Sequence, residues 1–232
     1  MTNYLLGIDV GTGGSKALLI DAQGSVAANV TTEYPLSTPQ TLWSEQNPQD
    51  WYNATVSSIA KVLEQSAINP SEVTAIGLTH SHIDHVGGNA EVMRATGAEL
   101  ICHRAAEPML DNMVQQGQLF GLDVESPPKP DRYIHEGDEI VVGATRLGVV
   151  NVPGHAPGHI ALVGDGFIIG GDVLFAGSIG RTDLPGGSFE TLIQSIRTKF
   201  LCLPDETVVH CGHGPSTTIG AERKTNPFLA TT

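Results

Sequence analysis

Between Thr79 and His85 the chain reads Thr-His-Ser-His-Ile-Asp-His, so His80, His82, Asp84 and His85 follow directly on the apolar run Ala75-Ile76-Gly77-Leu78. Imidazole nitrogen and carboxylate oxygen are the ligands that zinc and other borderline divalent cations accept. A strand running into such a cluster presents His80 and His82 on one side, because side chains alternate, and Asp84 and His85 point back from the turn that follows. Three further strand ends offer the ligands this cluster lacks. His155 stands in a Pro153-Gly154 turn after the strand Leu147 to Val152, Asp172 ends the run from Phe167, and His213 lies between two glycines after Val208-Val209. Single ligands at separate strand ends imply a site along one edge of a sheet scaffold, with glycines letting the backbone come close.

The order His-x-His-x-Asp-His, Pro-Gly-His, Gly-Asp and Gly-His-Gly resembles the metallo-β-lactamase superfamily. The stretch from Gly171-Asp172-Val173 through Gly180-Arg181-Thr182-Asp183 to Gly187 resembles its small bacterial glyoxalase II-like hydrolases. So does the ending from Thr217-Thr218-Ile219-Gly220 to Pro227-Phe228, and the likeness runs from about residue 78 onward. This resemblance implies an α/β (α+β) fold, a four-layer αββα sandwich with metals at the sheet edge. It implies that His80, His82 and His155 hold one divalent metal, that Asp84, His85 and His213 hold a second, and that Asp172 bridges them. Zinc is the metal expected, with iron or manganese as alternatives. The implied nucleophile is a metal-bridging hydroxide positioned by Asp84 and Asp172, since paired cations bring the pKa of water down to about 7.

A thioester suits such a site, because a thiol leaving group with a pKa near ~8.5 needs little protonation. The expected activity is therefore thioester hydrolysis of the hydroxyacylglutathione type on a small-molecule substrate. Arg181 stands where these relatives carry a basic residue for the glutathione part, and it could equally brace its loop by pairing with Asp183. Gly214-Pro215-Ser216 replaces the tyrosine-bearing segment of larger glyoxalase II enzymes, which leaves glutathione recognition open. Two other readings remain: a mononuclear iron oxygenase of the persulfide dioxygenase kind, and a chimeric protein that folds and binds metal with little activity.

The opening third differs. Gly7-Ile8-Asp9-Val10-Gly11-Thr12-Gly13-Gly14-Ser15-Lys16 and Leu42-Trp43-Ser44-Glu45-Gln46 resemble the phosphate loop and a later segment of xylulokinase-type sugar kinases. The rest of a kinase cleft is missing, so kinase activity is not expected. Residues 1–77 are read as a kinase-like strand-strand-strand-helix-strand segment that replaces the hydrolase opening, completes its first sheet and forms one compact domain with the metal-binding region 78–232. The elements are strands at 4–10, 15–21 and 25–34, then a helix capped by Asn47 with Pro48 first, carrying Tyr52, Val56, Ile59, Val62 and Leu63. A strand at 73–78 closes the segment.

Farther on, the pattern predicts a helix from Gly88-Asn89 to Thr96 stopped by Gly97, a Pro-rich loop over 121–133, and a helix over 188–203 with Leu192, Ile193, Ile196 and Phe200 on one face. A formal charge of −13 excludes the basic groove that nucleic acid requires. The unpatterned Cys102, Cys202 and Cys211 fit reduced thiols in a cytoplasmic protein, and no apolar run is long enough to span a bilayer. Cys211 reads as a core thiol. His103, His135, His159 and His210 are read as structural, with support of the metal site as the lesser reading of His159.

Overall fold

The three opening strands form where alternation places them. The computed structural model, which describes residues 4–10, 14–21, 26–35, 37, 47–69, 72–119, 121, 124–142 and 144–229, shows β1 (Tyr4–Val10), β2 (Gly14–Ile20) and β3 (Val26–Glu33) as an antiparallel meander. The kinase-like turn Gly11–Gly13 and the Trp43–Gln46 stretch lie outside the described residues. Helix α1 (Pro48–Ser66) starts as expected: the Asn47 side chain accepts the Gln49 N–H, and Pro48 occupies the first turn. Its Ala54, Ser58 and Val62 are buried on the sheet side, and the Ser58 hydroxyl reaches the Ser15 carbonyl at 2.7 Å. Strand β4 (Val73–Gly77) pairs in parallel with β1.

Past the histidine cluster come α2 (Ile83–Val86) and α3 (Asn89–Thr96), the latter ended by Gly97 at φ 73° as its composition predicts. The chain then adds elements without a clear sequence signal: β5 (Glu99–His103), a 3₁₀ turn over Arg104–Ala106, α4 (Glu107–Asp111), α5 (Met113–Leu119) and β6 (Arg132–Ile134). The first sheet has the order β3-β2-β1-β4-β5-β6. Residues 124–131, inside the Pro-rich loop, carry no regular structure.

The second sheet is built from β7 (Glu139–Val142), β8 (Thr145–Asn151), β9 (Ile160–Val163) and β10 (Phe167–Gly171), after which β11 (Leu174–Phe175) and β12 (Ser178–Ile179) form a small hairpin. Helix α6 (Phe189–Ser195), capped by the Ser188 hydroxyl, runs on through a π-helical turn over Ile196–Phe200, close to the span expected. Strands β13 (Val208–Cys211) and β14 (Thr217–Thr218) and helix α7 (Ile219–Thr225) complete the order β14-β13-β10-β9-β8-β7.

Three apolar layers hold these elements together, giving the four-layer αββα arrangement. Val62, Val86, Val92 and Met113 of the helices meet Leu19, Val30, Ile76 and Leu100 on one face of the first sheet. Ile20 and Ile101 meet Leu147, Val149, Ile160 and Leu162 between the sheets. Leu192, Ile196 and Phe200, all fully buried, pack on Ile168 and Val209 behind the second sheet. Each side chain of this kind contributes about 1.5–3 kcal/mol. Among the described residues no helix is long and apolar enough to cross a membrane.

Candidate metal centre

The cluster is presented differently from the alternating strand expected of it. Strand β4 ends at Gly77, and residues 78–82 form an irregular stretch at the carboxyl end of the sheet. His80 and His82 still meet, their ring centroids 4.9 Å apart. Asp84 and His85 lie in the single turn of α2 rather than in a bend. Ile83 and Val86 face the core from that turn, which aims Asp84 and His85 toward the opposite side.

The partners from the second sheet converge on the same point. His82 Nδ1 lies 2.9 Å from His155 Nε2, and His85 Nε2 lies 3.3 Å from His213 Nε2. Asp172 sits between the two groups: its Oδ2 is 3.0 Å from His213 Nε2 and 3.5 Å from His155 Nε2, and its Oδ1 is 3.6 Å from His85 Nε2. Asp84 Oδ2 is 3.4 Å from His213 Nε2. Three sets have ligand atoms within 4.8 Å of one another: His80, His82 and His155; Asp84, His85 and His213; and His80, His85 and Asp172. Gly212 makes this convergence possible, because a Cβ there would stand 1.9 Å from Asp172 Oδ1.

Burial governs the protonation of these groups. It holds His80 well below the ordinary histidine value, takes His82 down to about 4, and lowers His155 against the pull of Asp172. These rings are therefore neutral near pH 7, the form that binds a cation. Burial also opposes charge on His85, but Asp84 and Asp172 outweigh it and raise that ring. For Asp84 and Asp172, burial pushes upward, and the neighbouring His85 and His213 overcome it, so both carboxyls stay below their ordinary value.

Two groups act on the cluster without belonging to it. The Arg181 carbonyl, 2.7 Å from His155 Nδ1, takes that nitrogen's hydrogen and leaves the Nε2 lone pair facing the cluster. His159, buried, accepts the Asp172 backbone N–H at Nε2 (3.0 Å) and stacks on His80 with centroids 4.6 Å apart. That placement favours the lesser of its two expected readings, support of the cluster. The signal was the tight Pro157-Gly158 turn, which excludes a helix yet returns the chain into β9 with His159 beneath His155.

The Arg181 guanidinium makes both its hydrogen bonds to Asp183, at 2.8 and 2.7 Å, and is exposed. Of its two expected roles, the loop brace is the one seen in this structure. His210 turns away toward the Ser216 hydroxyl, and His103 and His135 stack edge-on with each other, remote from the cluster. None of the three cysteines forms a disulfide; Cys102 is buried, Cys202 exposed and Cys211 only partly covered.

The family model for the metallo-β-lactamase superfamily matches residues 6–213. The chain is 42% identical over 156 residues to the hydroxyacylglutathione hydrolase GloC of Haemophilus influenzae, covering 66% of this chain and 74% of that protein. Its structure is similar to that of the B3 metallo-β-lactamase BLEG-1 (TM-score 0.75, 28% identity, 100% of each chain). It is also similar to TTHA1623 in a di-iron-bound form (TM-score 0.72, 31% identity, 96% of this chain and 99% of that one).

Proposed function

Because the chain belongs to the metallo-β-lactamase superfamily, whose model spans residues 6–213, we propose that it is a hydrolase working with two divalent cations on a thioester of the hydroxyacylglutathione type. The observation that carries this reading is the state of the cluster itself. His80 Nε2 and Asp172 Oδ1 are buried with no hydrogen-bond partner, and imidazole nitrogens face one another at 2.9 and 3.3 Å. Buried polar atoms left this way cost about 1–3 kcal/mol each, a cost that cation binding removes. The residues therefore fit the ions: His80, His82 and His155 would hold one, Asp84, His85 and His213 the other, and Asp172 would bridge them.

Zinc suits this mixed nitrogen and oxygen set, and the likeness to a di-iron-bound structure keeps iron as the alternative. Such cations supply a water of lowered pKa and polarise a carbonyl. The chain contributes the geometry. Arg181 through its carbonyl fixes the His155 tautomer, and His159 fixes the backbone from which Asp172 projects. A thiolate leaves without needing a proton from the protein. For Arg181 to bind a substrate carboxylate, that carboxylate must displace Asp183.

The opening residues 1–77 are, on this reading, a kinase-like segment in the place of the family's own opening, in one domain with residues 78–232. The parallel pairing of β1 with β4 supports the single domain. The charge of −13 supports a small-molecule partner rather than nucleic acid, and three cysteines outside any disulfide support a reducing cytoplasm.

The test is elemental analysis of the purified chain beside His80→Ala and Asp172→Asn, with hydrolysis of a hydroxyacylglutathione followed in parallel. About two cations per chain, reduced in both variants together with a hundredfold or greater loss of turnover, is the expected result for a dinuclear site. About one iron with oxygen consumption would replace the hydrolase with the oxygenase reading, and a folded chain that takes up no metal would overturn both.

A further inference from the structure

Helix α1 carries two apolar stripes. Ala54, Ser58 and Val62 face the sheet, whereas Val56, Ile59, Ala60 and Leu63, at the i, i+3, i+4, i+7 spacing of one helical face, line a cavity of about 660 Å³. Val92 and Ala95 of α3 form the facing wall, Trp51 of α1 also lines it, and Asp84 and His85 of the metal cluster line the same space. Its size lies in the range of small-molecule sites. Val56 is left 39% exposed for want of a partner across the gap.

We propose that this cavity receives the apolar acyl chain of the substrate, so that the enzyme prefers thioesters of medium to long unbranched acids. This rests on the hydrolase reading and adds the substrate class. Continuity with the metal cluster is the first argument, since a carbonyl held beside Asp84 and His85 can direct its alkyl substituent straight between α1 and α3. The second is charge. Among the described residues, the charged groups lining the cavity besides the cluster are Glu91, Arg94 and Glu125, and Arg94 is bound to Glu125 at 2.6 Å. An anionic thiol carrier finds no free cation among them, while a hydrocarbon chain finds valine, isoleucine, leucine and tryptophan. The carrier thus projects outward and the acyl chain inward. One wall belongs to the opening segment, which on this view sets specificity rather than merely completing a sheet.

The experiment uses the metal-loaded full chain with S-acyl-N-acetylcysteamine thioesters from acetyl to dodecanoyl, and in parallel titrates dodecanoate against the emission of Trp51 in a Trp43→Phe background. Each added methylene should raise kcat/KM roughly fourfold until the cavity is full. Ala95→Phe and Val56→Phe, one from each wall, should lower the ratio of dodecanoyl to acetyl kcat/KM at least tenfold and abolish the dodecanoate-induced change in emission. Flat rates along the series, with acetyl turned over and no response to dodecanoate, would overturn the acyl site and leave the hydrolase standing. No turnover of any thioester, with dodecanoate still binding and blocked by Ala95→Phe, would retain the apolar site and remove the thioesterase. Absence of both turnover and binding would overturn the two together.

Discussion

His159 shows how much of a metal centre is set by residues that never touch the ion. It is fully buried, its Nε2 takes the Asp172 N–H, and its ring lies at 13° to that of His80. Burial takes its pKa down to about 3, so it is a neutral acceptor at any working pH. In His159→Ala the amide loses its acceptor and His80 its stacking surface. We expect metal affinity to fall roughly 10- to 100-fold, as for other groups that orient ligands, while the chain still folds. Competition with a chelator measures this; an unchanged dissociation constant would mean that His159 only fills space. Cys102 makes a different prediction. Burial raises its thiol from 9.0 to about 11, so the stability it protects is complete below pH 9 and is lost as pH climbs toward 11. The loss between pH 8 and 10.5, seen in urea midpoints, should be smaller in Cys102→Ala by on the order of 2 kcal/mol.

At the scale of elements, a ligand is only as well placed as the turn that carries it. Gly154 has φ +127° and its carbonyl accepts the Ser188 N–H at the start of α6, while a Cβ at this position would come within 2.3 Å of the Leu192 nitrogen. Gly154→Ala therefore must push α6 away from the turn holding His155. We expect a destabilisation of about 1–3 kcal/mol together with weakened metal binding, whereas a variant that keeps full metal content and its melting temperature would contradict this placement. The sequence made Pro153-Gly154-His155 readable as such a turn, and likewise the caps at Asn47 and Gly97, because those signals are local. It did not reveal α2, whose four residues carry no periodicity, nor the run from β5 to β6. The two stripes of α1 were merged into one for a related reason: Val56 and Val62 are equally apolar, and only the position of α3 decides which of them faces a cavity. The residues that converge in the cluster were legible in sequence because each stands beside glycine or inside the dense 80–85 motif, but the carbonyl of Arg181 has no side-chain signature at all.

For the whole molecule, the decisive fact is that the candidate ligands come from both sheets. His80, His82, Asp84 and His85 follow β4 of the first sheet, whereas His155, Asp172 and His213 follow β8, β10 and β13 of the second. Cations held by these seven groups would tie the two layers together at one edge, adding to the apolar contacts between the sheets and the hydrogen bond from the Ile160 N–H to the Thr79 carbonyl. They would also neutralise part of a formal charge of −13, which resists compaction. Binding to the folded chain alone then stabilises it by mass action, about 2.7 kcal/mol when free metal exceeds its dissociation constant a hundredfold. For a chain of this size that corresponds to roughly 5 to 10 °C in melting temperature. Calorimetry with and without chelator should show a shift of that order in the native chain. His80→Ala and Asp172→Asn each remove one of the seven groups, so in both the shift should shrink. If chelation instead left the native transition in place, metal would bind without bridging the layers, and the two sheets would be held together without it.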